Sequence, residues 1–257
     1  MSGRADWLAP EWRVAGVGKL MTTRSGGVSV GPYAAMNVGA AVGDDARAVA
    51  ANRALLADAM GAAPVFLRQV HGTRVVRIAA ADAAPGAPVH EADAVVTSET
   101  GVGCVVQAAD CLPVLLAAPE GRAVAAAHAG WRGLAAGVVE RTIAALCDVG
   151  QCAPGDVVAW LGACIGPQAF EVGADVLAAF DEASVQKSAS SARFQPQGGG
   201  KWHADLAGLA RDRLAAAGVT SVSGGAWCTV TDASRFFSYR RDGVTGRMAA
   251  AVWIVRR

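Results

Sequence analysis

Six short apolar segments follow one another through the middle of the chain, and they constrain the fold more than any other feature. They cover residues 65–70, 75–79, 94–97, 102–107, 112–117 and 123–127. Segments of about four to eight residues are typical of strands rather than helices. Several are apolar on both faces, as in sheets that are covered from two sides. The sequence therefore predicts central β-structure buried beneath other layers.

Helical segments accompany these strands. Asp45, or Asp44 beside it, can cap a helix that Gly61 ends. Asp205 can cap a second helix that Gly218 ends. The other expected elements are a helix at 131–147, a short helix at 175–180, strands at 14–22, 157–161, 226–231 and 248–255, and a linker at 186–200. Because strands outnumber helices, we expect a mixed-sheet α+β or α/β protein rather than a regular doubly wound one.

Composition and charge exclude several classes of protein. The chain has 257 residues, of which 53% are hydrophobic, enough to bury a large core. Its 23 Lys and Arg against 22 Asp and Glu leave a net charge of +1, which argues against broad nucleic-acid binding. The longest apolar stretch, 101–119, contains Asp110 and Pro113 and does not predict a membrane span. With no recognisable export signal, we expect one cytoplasmic domain over residues 1–257, as a monomer or homodimer, with reduced cysteines.

Three candidate metal ligands, His71, Cys111 and His128, lie where apolar segments give way to turns. Strand ends of one sheet can converge on one crevice, where ligands of α/β proteins usually bind. Two imidazoles and one thiolate suit Zn²⁺, and three protein ligands leave a fourth position open, as in catalytic sites. Their wide spacing differs from the close pairs of structural zinc sites. From the residues alone, hydrogen-bonded core histidines and a buried cysteine are the alternative.

The motifs around these residues resemble those of the YfiH family. The most specific are 68–72 (RQVHG), 109–113 (ADCLP) and 128–133 (HAGWRG). The likeness continues in order through 26–29 (GGVS), 36–39 (MNVG), 42–45 (VGDD), 91–94 (EADA), 162–167 (GACIGP), 170–173 (FEVG) and 237–243 (FSYRRDG). One departure is Gln168, where many relatives have Cys. The resemblance covers nearly the whole chain.

The resemblance implies a fold, a cofactor and a reaction. The fold is a single α+β domain with two central mixed β-sheets between helical layers. The metal ligands are His71, Cys111 and His128, which would hold Zn²⁺, or Cu²⁺ in vitro. The implied reactions are phosphorolysis of adenosine, inosine, guanosine and methylthioadenosine, and deamination of adenosine. The partners are then small molecules, a purine nucleoside and phosphate, rather than a nucleic acid or a membrane.

Five further residues in these motifs are candidate site residues. Asp110 and Glu171 are candidate proton carriers, although a carboxylate beside a metal site commonly orients a ligand histidine instead. Arg132, at the start of an expected helix, can help to hold an anion; alternatively it pairs with a carboxylate. Asn37 and Arg240 are candidate substrate contacts. Their alternatives are turn chemistry for Asn37 and a surface ion pair for Arg240.

Three other functions compete with this one. In a copper-dependent polyphenol oxidase, a single blue-copper centre would use all three ligands, which leaves only His90 and His203 for a further copper cluster. In a cysteine amidase, Cys111 would be the nucleophile and His128 the base. Family members have been linked to removal of wrongly incorporated residues from cell-wall precursors, which fits a cysteine or metal amidase. A zinc-stabilised binding protein would close the site with a fourth ligand, His90.

Overall fold

The computed structural model describes residues 6–183 and 192–255. Its α-helices are α1 (Ala46–Met60), α2 (Trp131–Ala135), α3 (Val138–Gly150), α4 (Ala174–Ala183), α5 (Leu206–Ala216) and α6 (Tyr239–Asp242). Its strands are β1 (Val17–Met21), β2 (Ala63–Val65), β3 (Val75–Arg77), β4 (Ala94–Thr97), β5 (Val102–Ala108), β6 (Leu112–Ala117), β7 (Val124–Ala129), β8 (Val158–Leu161), β9 (Glu171–Val172), β10 (Phe194–Gly198), β11 (Lys201–Ala204), β12 (Ser221–Gly224) and β13 (Met248–Ile254).

In this part of the chain the strands form two mixed sheets and one small antiparallel sheet. The six-stranded sheet has the order β12-β8-β6-β7-β4-β3, in which only the two outer pairs are parallel. The four-stranded sheet has the order β1-β13-β5-β2, in which only β5 and β2 are parallel. Strands β9, β10 and β11 form the third sheet. Both large sheets are therefore mixed, as expected.

The two large sheets pack against each other, and helices cover their outer faces. Leu115 of β6 is buried in the cluster between the sheets, whereas its neighbour Leu116 packs with Leu146 of α3 on the outer face. On the four-stranded sheet, Ala251 of β13 packs with Leu56 of α1. Because side chains alternate along a strand, strands covered on both sides are apolar throughout. The expected fold, with two central sheets between helical layers, is confirmed.

The predicted helix ends are confirmed for α1 and α5. The Asp45 carboxylate accepts a hydrogen bond from the N–H of Ala48 (2.9 Å), and Gly61 ends α1 at φ +60°. The Asp205 carboxylate likewise accepts from the N–H of Gly208 (2.8 Å) at the start of α5. Among residues 6–183 and 192–255, no helix is long and apolar enough to cross a membrane.

Besides the predicted strand at 65–70, of which only Val65 lies in a strand, three predicted elements are wrong or incomplete. Residues 131–147 form two helices instead of one, because Gly137 breaks the helix at φ +94°. The predicted strand at 226–231 is a loop in which Cys228 makes a single bridge to Cys164. The predicted linker at 186–200 contains β10, which pairs with β11. Residues 186–191 of that stretch lie outside the described residues.

Candidate metal centre

The six-stranded sheet brings His71, Cys111 and His128 together at one end of its central strands β6 and β7. Their candidate ligand atoms all lie within 4.8 Å of one another. The Cys111 sulfur is 3.6 Å from His71 Nε2. The two imidazole rings meet edge to face, with centroids 4.8 Å apart and planes at 78°. The structure thus brings the three predicted ligands into one cluster.

The three side chains come from different kinds of local structure. His128 lies within β7, opposite Pro113 in the antiparallel pairing with β6, and Cys111 directly precedes β6. His71 lies on the loop that follows β2. The strand predicted over 65–70 is thus wrong beyond Val65, where β2 ends. The φ of His71, +61°, is uncommon for a residue with a side chain. Such a conformation persists only where the surrounding structure holds it.

A fully buried carboxylate, Asp93, holds both histidines. Its Oδ1 accepts hydrogen bonds from His128 Nδ1 (2.8 Å) and from the main-chain N–H of His71 (2.9 Å). Its Oδ2 accepts from the N–H groups of Val70 (3.1 Å) and Gly72 (2.7 Å). Burial raises the pKa of Asp93, but the hydrogen bonds from His128 and Gly72 outweigh burial and hold that pKa below its usual value. With Nδ1 bound to Asp93, Nε2 is the nitrogen of His128 that can ligate a metal.

Asp93 was not among the predicted site residues. It lies in the motif at 91–94 (EADA), where a single aspartate shows no ligand spacing. The available signal in the sequence was the position of this aspartate, directly before the apolar segment at 94–97 that forms β4. A buried charge needs partners, so an aspartate at the start of a core strand indicates a hydrogen-bonded role.

The cluster favours a thiolate at Cys111. Burial raises the pKa of this thiol, but the charge and hydrogen bond of His128, with those of His71, bring the pKa down to about 6. In the same way, burial lowers the pKa of His128, and the Cys111 thiolate and Asp93 together raise it to about 9. The thiolate is the form of cysteine that binds metals and acts as a nucleophile.

These donors fit a metal ion such as Zn²⁺. One thiolate and two imidazoles are preferred zinc ligands, and the same nitrogen and sulfur donors suit Cu²⁺. Gly130 keeps space around them, since a Cβ there would lie 2.8 Å from His71 Cδ2 and 3.0 Å from the Cys111 sulfur. His90 does not join the cluster, because its Nε2 lies 2.7 Å from Asp82 Oδ1. Three protein ligands leave further coordination positions for a substrate or water.

The cluster lines a cavity of about 940 Å³. This volume is within the range of small-molecule sites, about 300–1,000 Å³. The aromatic residues of the lining are Phe66, Trp131, Phe170 and Tyr239. Its charged residues, besides the ligands, are Arg53, Arg68, Arg132, Arg240, Arg247 and Asp110. The cavity therefore combines flat apolar faces with an excess of positive charge.

Three of the other predicted site residues line this cavity. Asp110, at φ +93°, accepts hydrogen bonds from the Thr229 hydroxyl and from the main-chain N–H of Arg240, each at 2.6 Å. The guanidinium of Arg240 lies 5.6 Å from the centre of the Phe170 ring. Arg132 is exposed and stacks on Trp131 at 4.2 Å. Asp110, Arg132 and Arg240 thus line the same cavity as the His71–Cys111–His128 cluster.

The remaining two predicted site residues lie outside the cavity lining. Glu171 is exposed on β9, with its carboxylate 3.6 Å from Lys201 Nζ. Asn37 is fully buried, and its Oδ1 accepts hydrogen bonds from the main-chain N–H groups of Gly39 and Arg247, each at 2.8 Å. Their roles as proton carrier and substrate contact stay predictions.

Comparison with known sequences identifies close relatives. Residues 18–255 match the family model described as multi-copper polyphenol oxidoreductase laccase. A purine nucleoside phosphorylase of Pseudomonas aeruginosa is 48% identical over 250 residues, which cover 96% of this chain and 98% of that protein. The purine nucleoside phosphorylase YfiH of Escherichia coli is 45% identical over 251 residues, with the same coverage of 96% and 98%.

Solved structures show the same fold along the whole chain. A Neisseria meningitidis protein superposes with a TM-score of 0.90 at 46% identity, covering 98% of this chain and 100% of that one. YlmD from Geobacillus stearothermophilus superposes with a TM-score of 0.89 at 32% identity, covering 97% and 96%. The motifs, the fold and these relatives agree, and the chain therefore belongs to the YfiH family, whose family model is described as a multi-copper polyphenol oxidoreductase laccase.

Proposed function

We propose that this chain is a zinc-dependent purine nucleoside phosphorylase that also deaminates adenosine. Its substrates would be adenosine, inosine, guanosine and methylthioadenosine, cleaved with phosphate to the free base and a ribose 1-phosphate. The observation that carries the proposal is the His71–Cys111–His128 cluster in a cavity with aromatic and cationic walls. The names of the P. aeruginosa and E. coli relatives, which match this chain nearly end to end, support phosphorolysis.

We assign His71, Cys111 and His128 as the metal ligands. Cys111 would bind as the thiolate that its lowered pKa favours, and His128 through Nε2, because Asp93 holds its Nδ1. Asp93 also keeps the His71 loop in place through the main-chain N–H of His71. A bound Zn²⁺ supplies a Lewis acid for an oxygen ligand and lowers the pKa of bound water toward about 7.

We assign the nucleoside to the aromatic part of the cavity. Phe170 and Tyr239 line the same cavity as the three ligands, and an aromatic ring is a suitable stacking partner for a purine. Stacking of a base on an aromatic side chain contributes about 1–3 kcal/mol. Arg240 and Arg132 are the proposed substrate contacts on this wall, and Arg132 would interact with an anionic group. Asn37 has a positioning role in this proposal, since it is fully buried and holds main-chain N–H groups.

Asp110 is the proposed proton carrier. In phosphorolysis an oxygen of phosphate bonds to C1′ of the ribose, the bond from C1′ to the purine breaks, and the departing base takes up a proton. Asp110 lines the cavity next to Cys111, and the Thr229 hydroxyl and the Arg240 N–H fix both of its oxygens. Glu171 is the second candidate, but it would first have to leave Lys201 and turn toward the cavity.

Two other functions are favoured by specific observations. A copper-dependent polyphenol oxidase is favoured by the description of the family model and by a donor set that suits copper. An amidase acting on cell-wall precursors is favoured by the low pKa of Cys111 beside His128, the arrangement of a cysteine nucleophile and its base. A free thiol is required for the cysteine amidase and is occupied in the metal enzyme, so metal content separates these two.

Chromatography of adenosine incubated with the zinc-loaded protein, with and without phosphate, tests the proposal. Adenine that forms only with phosphate supports the phosphorylase, and inosine that forms in both samples supports the deaminase. The control is the same protein stripped of metal with a chelator, which should form neither product. If the zinc-loaded protein forms neither product, the purine assignment is wrong and the amidase becomes the better proposal.

A further inference from the structure

Two guanidinium groups in the cavity wall have no carboxylate partner within the described residues. Arg53 on α1 and Arg247 just before β13 are partly buried and line the cavity of the metal cluster. Among residues 6–183 and 192–255, neither forms an ion pair. Arg68 in the same lining differs, because its guanidinium lies 2.6 Å from the Glu91 carboxylate. The charges of Arg53 and Arg247 are therefore left for something inside the cavity.

Main-chain carbonyl groups hold both side chains from behind. Arg53 Nε donates to the carbonyl of Val38 (2.9 Å), and its guanidinium stacks 3.9 Å from the centre of the Phe66 ring. Arg247 Nη1 donates to the carbonyls of Thr245 (3.1 Å) and Gly246 (3.0 Å). A guanidinium has five N–H donors, so most remain unused. Within the described residues, both Nη groups of Arg53 and the Nε and Nη2 of Arg247 have no hydrogen-bond partner.

One short segment ties the two arginines together. Val38 accepts from Arg53 through its carbonyl and donates its N–H to the carbonyl of Arg247 (3.1 Å). Gly39 lies directly against Arg247, since a Cβ there would be 2.8 Å from Arg247 Cγ. Asn37 Oδ1 accepts from the N–H groups of Gly39 and Arg247. The buried Asn37 thus fixes the position of Arg247 relative to the segment that holds Arg53.

The surroundings of this pair favour an anion. Burial lowers the pKa of both guanidinium groups, and at Arg247 the negative charges of Cys111 and Asp110 oppose that shift. Arginine nevertheless stays charged at neutral pH. Within the described residues neither cation has a carboxylate in direct contact, and an anion with several acceptor oxygens would supply the missing hydrogen bonds and charge. Phosphate matches the planar donor fork of arginine better than a single-oxygen ligand does.

We propose that Arg53 and Arg247 form a binding subsite for a phosphate group in the cavity of the metal cluster. The proposal rests on the proposed function for its substrate, and it adds the residues that hold the phosphate. The group belongs either to inorganic phosphate, the co-substrate, or to a nucleoside phosphate. Both sources present the same tetrahedral oxyanion, so the test below separates them.

Direct binding of inorganic phosphate tests the subsite without any turnover. Isothermal titration calorimetry would compare the zinc-loaded protein with its Arg53→Gln and Arg247→Gln variants. We expect each variant to bind phosphate at least about tenfold more weakly, because each loses charge-assisted hydrogen bonds. The matched control is Arg122→Gln. Arg122 Nη1 also donates to a carbonyl, that of Gln151 (2.9 Å), but Arg122 does not line the cavity.

Two kinetic and binding measurements separate the sources of the phosphate. If the group is free phosphate, both variants raise the KM for phosphate about tenfold or more and leave the KM for adenosine unchanged. If it belongs to a nucleoside phosphate, the variants keep their KM for phosphate and bind adenosine 5′-monophosphate at least about tenfold more weakly. Unchanged affinity for both ligands in both variants, within about twofold, would overturn the subsite.

The Gly39→Ala variant tests the position of the Arg247 side chain rather than its charge. It keeps both arginines but crowds the stem of Arg247, so we expect phosphate affinity to fall by about three- to tenfold. Circular dichroism and the melting temperature would verify that each variant folds. A protein that binds phosphate through the arginines but cleaves no nucleoside retains the subsite and refutes the proposed function. A protein that cleaves nucleosides, and whose variants keep both the KM for phosphate and the affinity for adenosine 5′-monophosphate, refutes the subsite alone.

Discussion

The His71–Cys111–His128 cluster and the pair Arg53 and Arg247 line the same cavity, but the groups that support them from behind differ in charge. In the cluster, the buried Asp93 accepts four hydrogen bonds and supplies a negative charge behind His128. In the described part of the chain, the hydrogen-bond acceptors of the Arg53 and Arg247 side chains are neutral carbonyl groups. The protein thus places a hydrogen-bonded carboxylate behind the cluster, and neutral acceptors behind the arginine pair. Substitutions that act on one wall and spare the other test this difference.

Cys111→Ala has the largest expected effect. It removes the anionic ligand, so we expect loss of bound zinc and a fall in adenosine turnover of about 10³-fold or more, since a metal contributes several kcal/mol to the transition state. Atomic absorption and chromatography of products would measure both. The control is Cys152→Ser, a partly buried thiol outside the cavity lining. Full zinc occupancy in Cys111→Ala would contradict the ligand assignment.

Asp93→Asn should weaken zinc binding without abolishing it. The amide keeps the shape of the carboxylate but removes its charge and one acceptor oxygen, so we expect zinc affinity to fall about 10- to 100-fold. The free energy of unfolding should also fall by about 1–3 kcal/mol. Competition with a chelator and denaturant titration would measure these effects. Asp82→Asn is the matched control, since Asp82 also contacts a histidine, His90, away from the cluster; an equal loss of zinc affinity there would refute the role of Asp93.

Zinc binding at the His71–Cys111–His128 cluster should depend on pH. The pKa of Cys111 is lowered to about 6, so the thiolate is present above that pH and is lost as the pH falls through it. The pKa of His128 is raised to about 9, and a metal must displace that proton too. We therefore expect zinc affinity to fall about tenfold per pH unit below pH 9 and more steeply, by about a hundredfold per unit, below pH 6, where Cys111 is protonated as well. Zinc retention against a chelator between pH 7.5 and pH 5 measures this. A profile that does not steepen below about pH 6 would show that Cys111 is not a ligand.

Phe66→Leu has the smallest expected effect and acts on the arginine wall. It removes the ring that stacks on Arg53 and keeps an apolar side chain. A cation–π contact of about 0.5–1 kcal/mol corresponds to a two- to fivefold loss of phosphate affinity. In a double-mutant cycle, Phe66→Leu should have no further effect once Arg53 is replaced by Gln. Additive losses would mean that the ring acts independently of Arg53.

Local signals in the sequence were sufficient for the central strands β3 to β7 and for several helix ends. Asp45 and Gly61 act within a few residues of α1, so their effect can be predicted without the rest of the fold. The β10–β11 hairpin was missed because its exposed side chains include Gln195, Gln197 and Lys201, which are typical of a loop. Such edge strands are set by pairing with another segment rather than by their own composition.

The candidate site likewise contains residues that could be predicted from the sequence and residues that could not. The three ligands were predicted because they lie in specific motifs beside apolar segments, whereas Asp93 and the arginine pair were not predicted. Asp93 acts on the loop of His71, and Arg53 and Arg247 meet through Val38. These relations join segments that are distant in sequence, so no spacing within one motif reports them. They follow from the tertiary fold alone.

The antiparallel pairing of β6 and β7 also makes metal binding at the candidate centre a check on strand alignment. Pro113 lies opposite His128, and Leu112 lies opposite Ala129. Because side chains alternate between faces, a slip of one residue would turn His128 to the other side of the sheet and place an alanine beside Cys111. Metal would therefore be retained by correctly aligned molecules and not by misaligned ones. Stoichiometric zinc in a purified preparation is then a measure of folding quality as well as of readiness for catalysis.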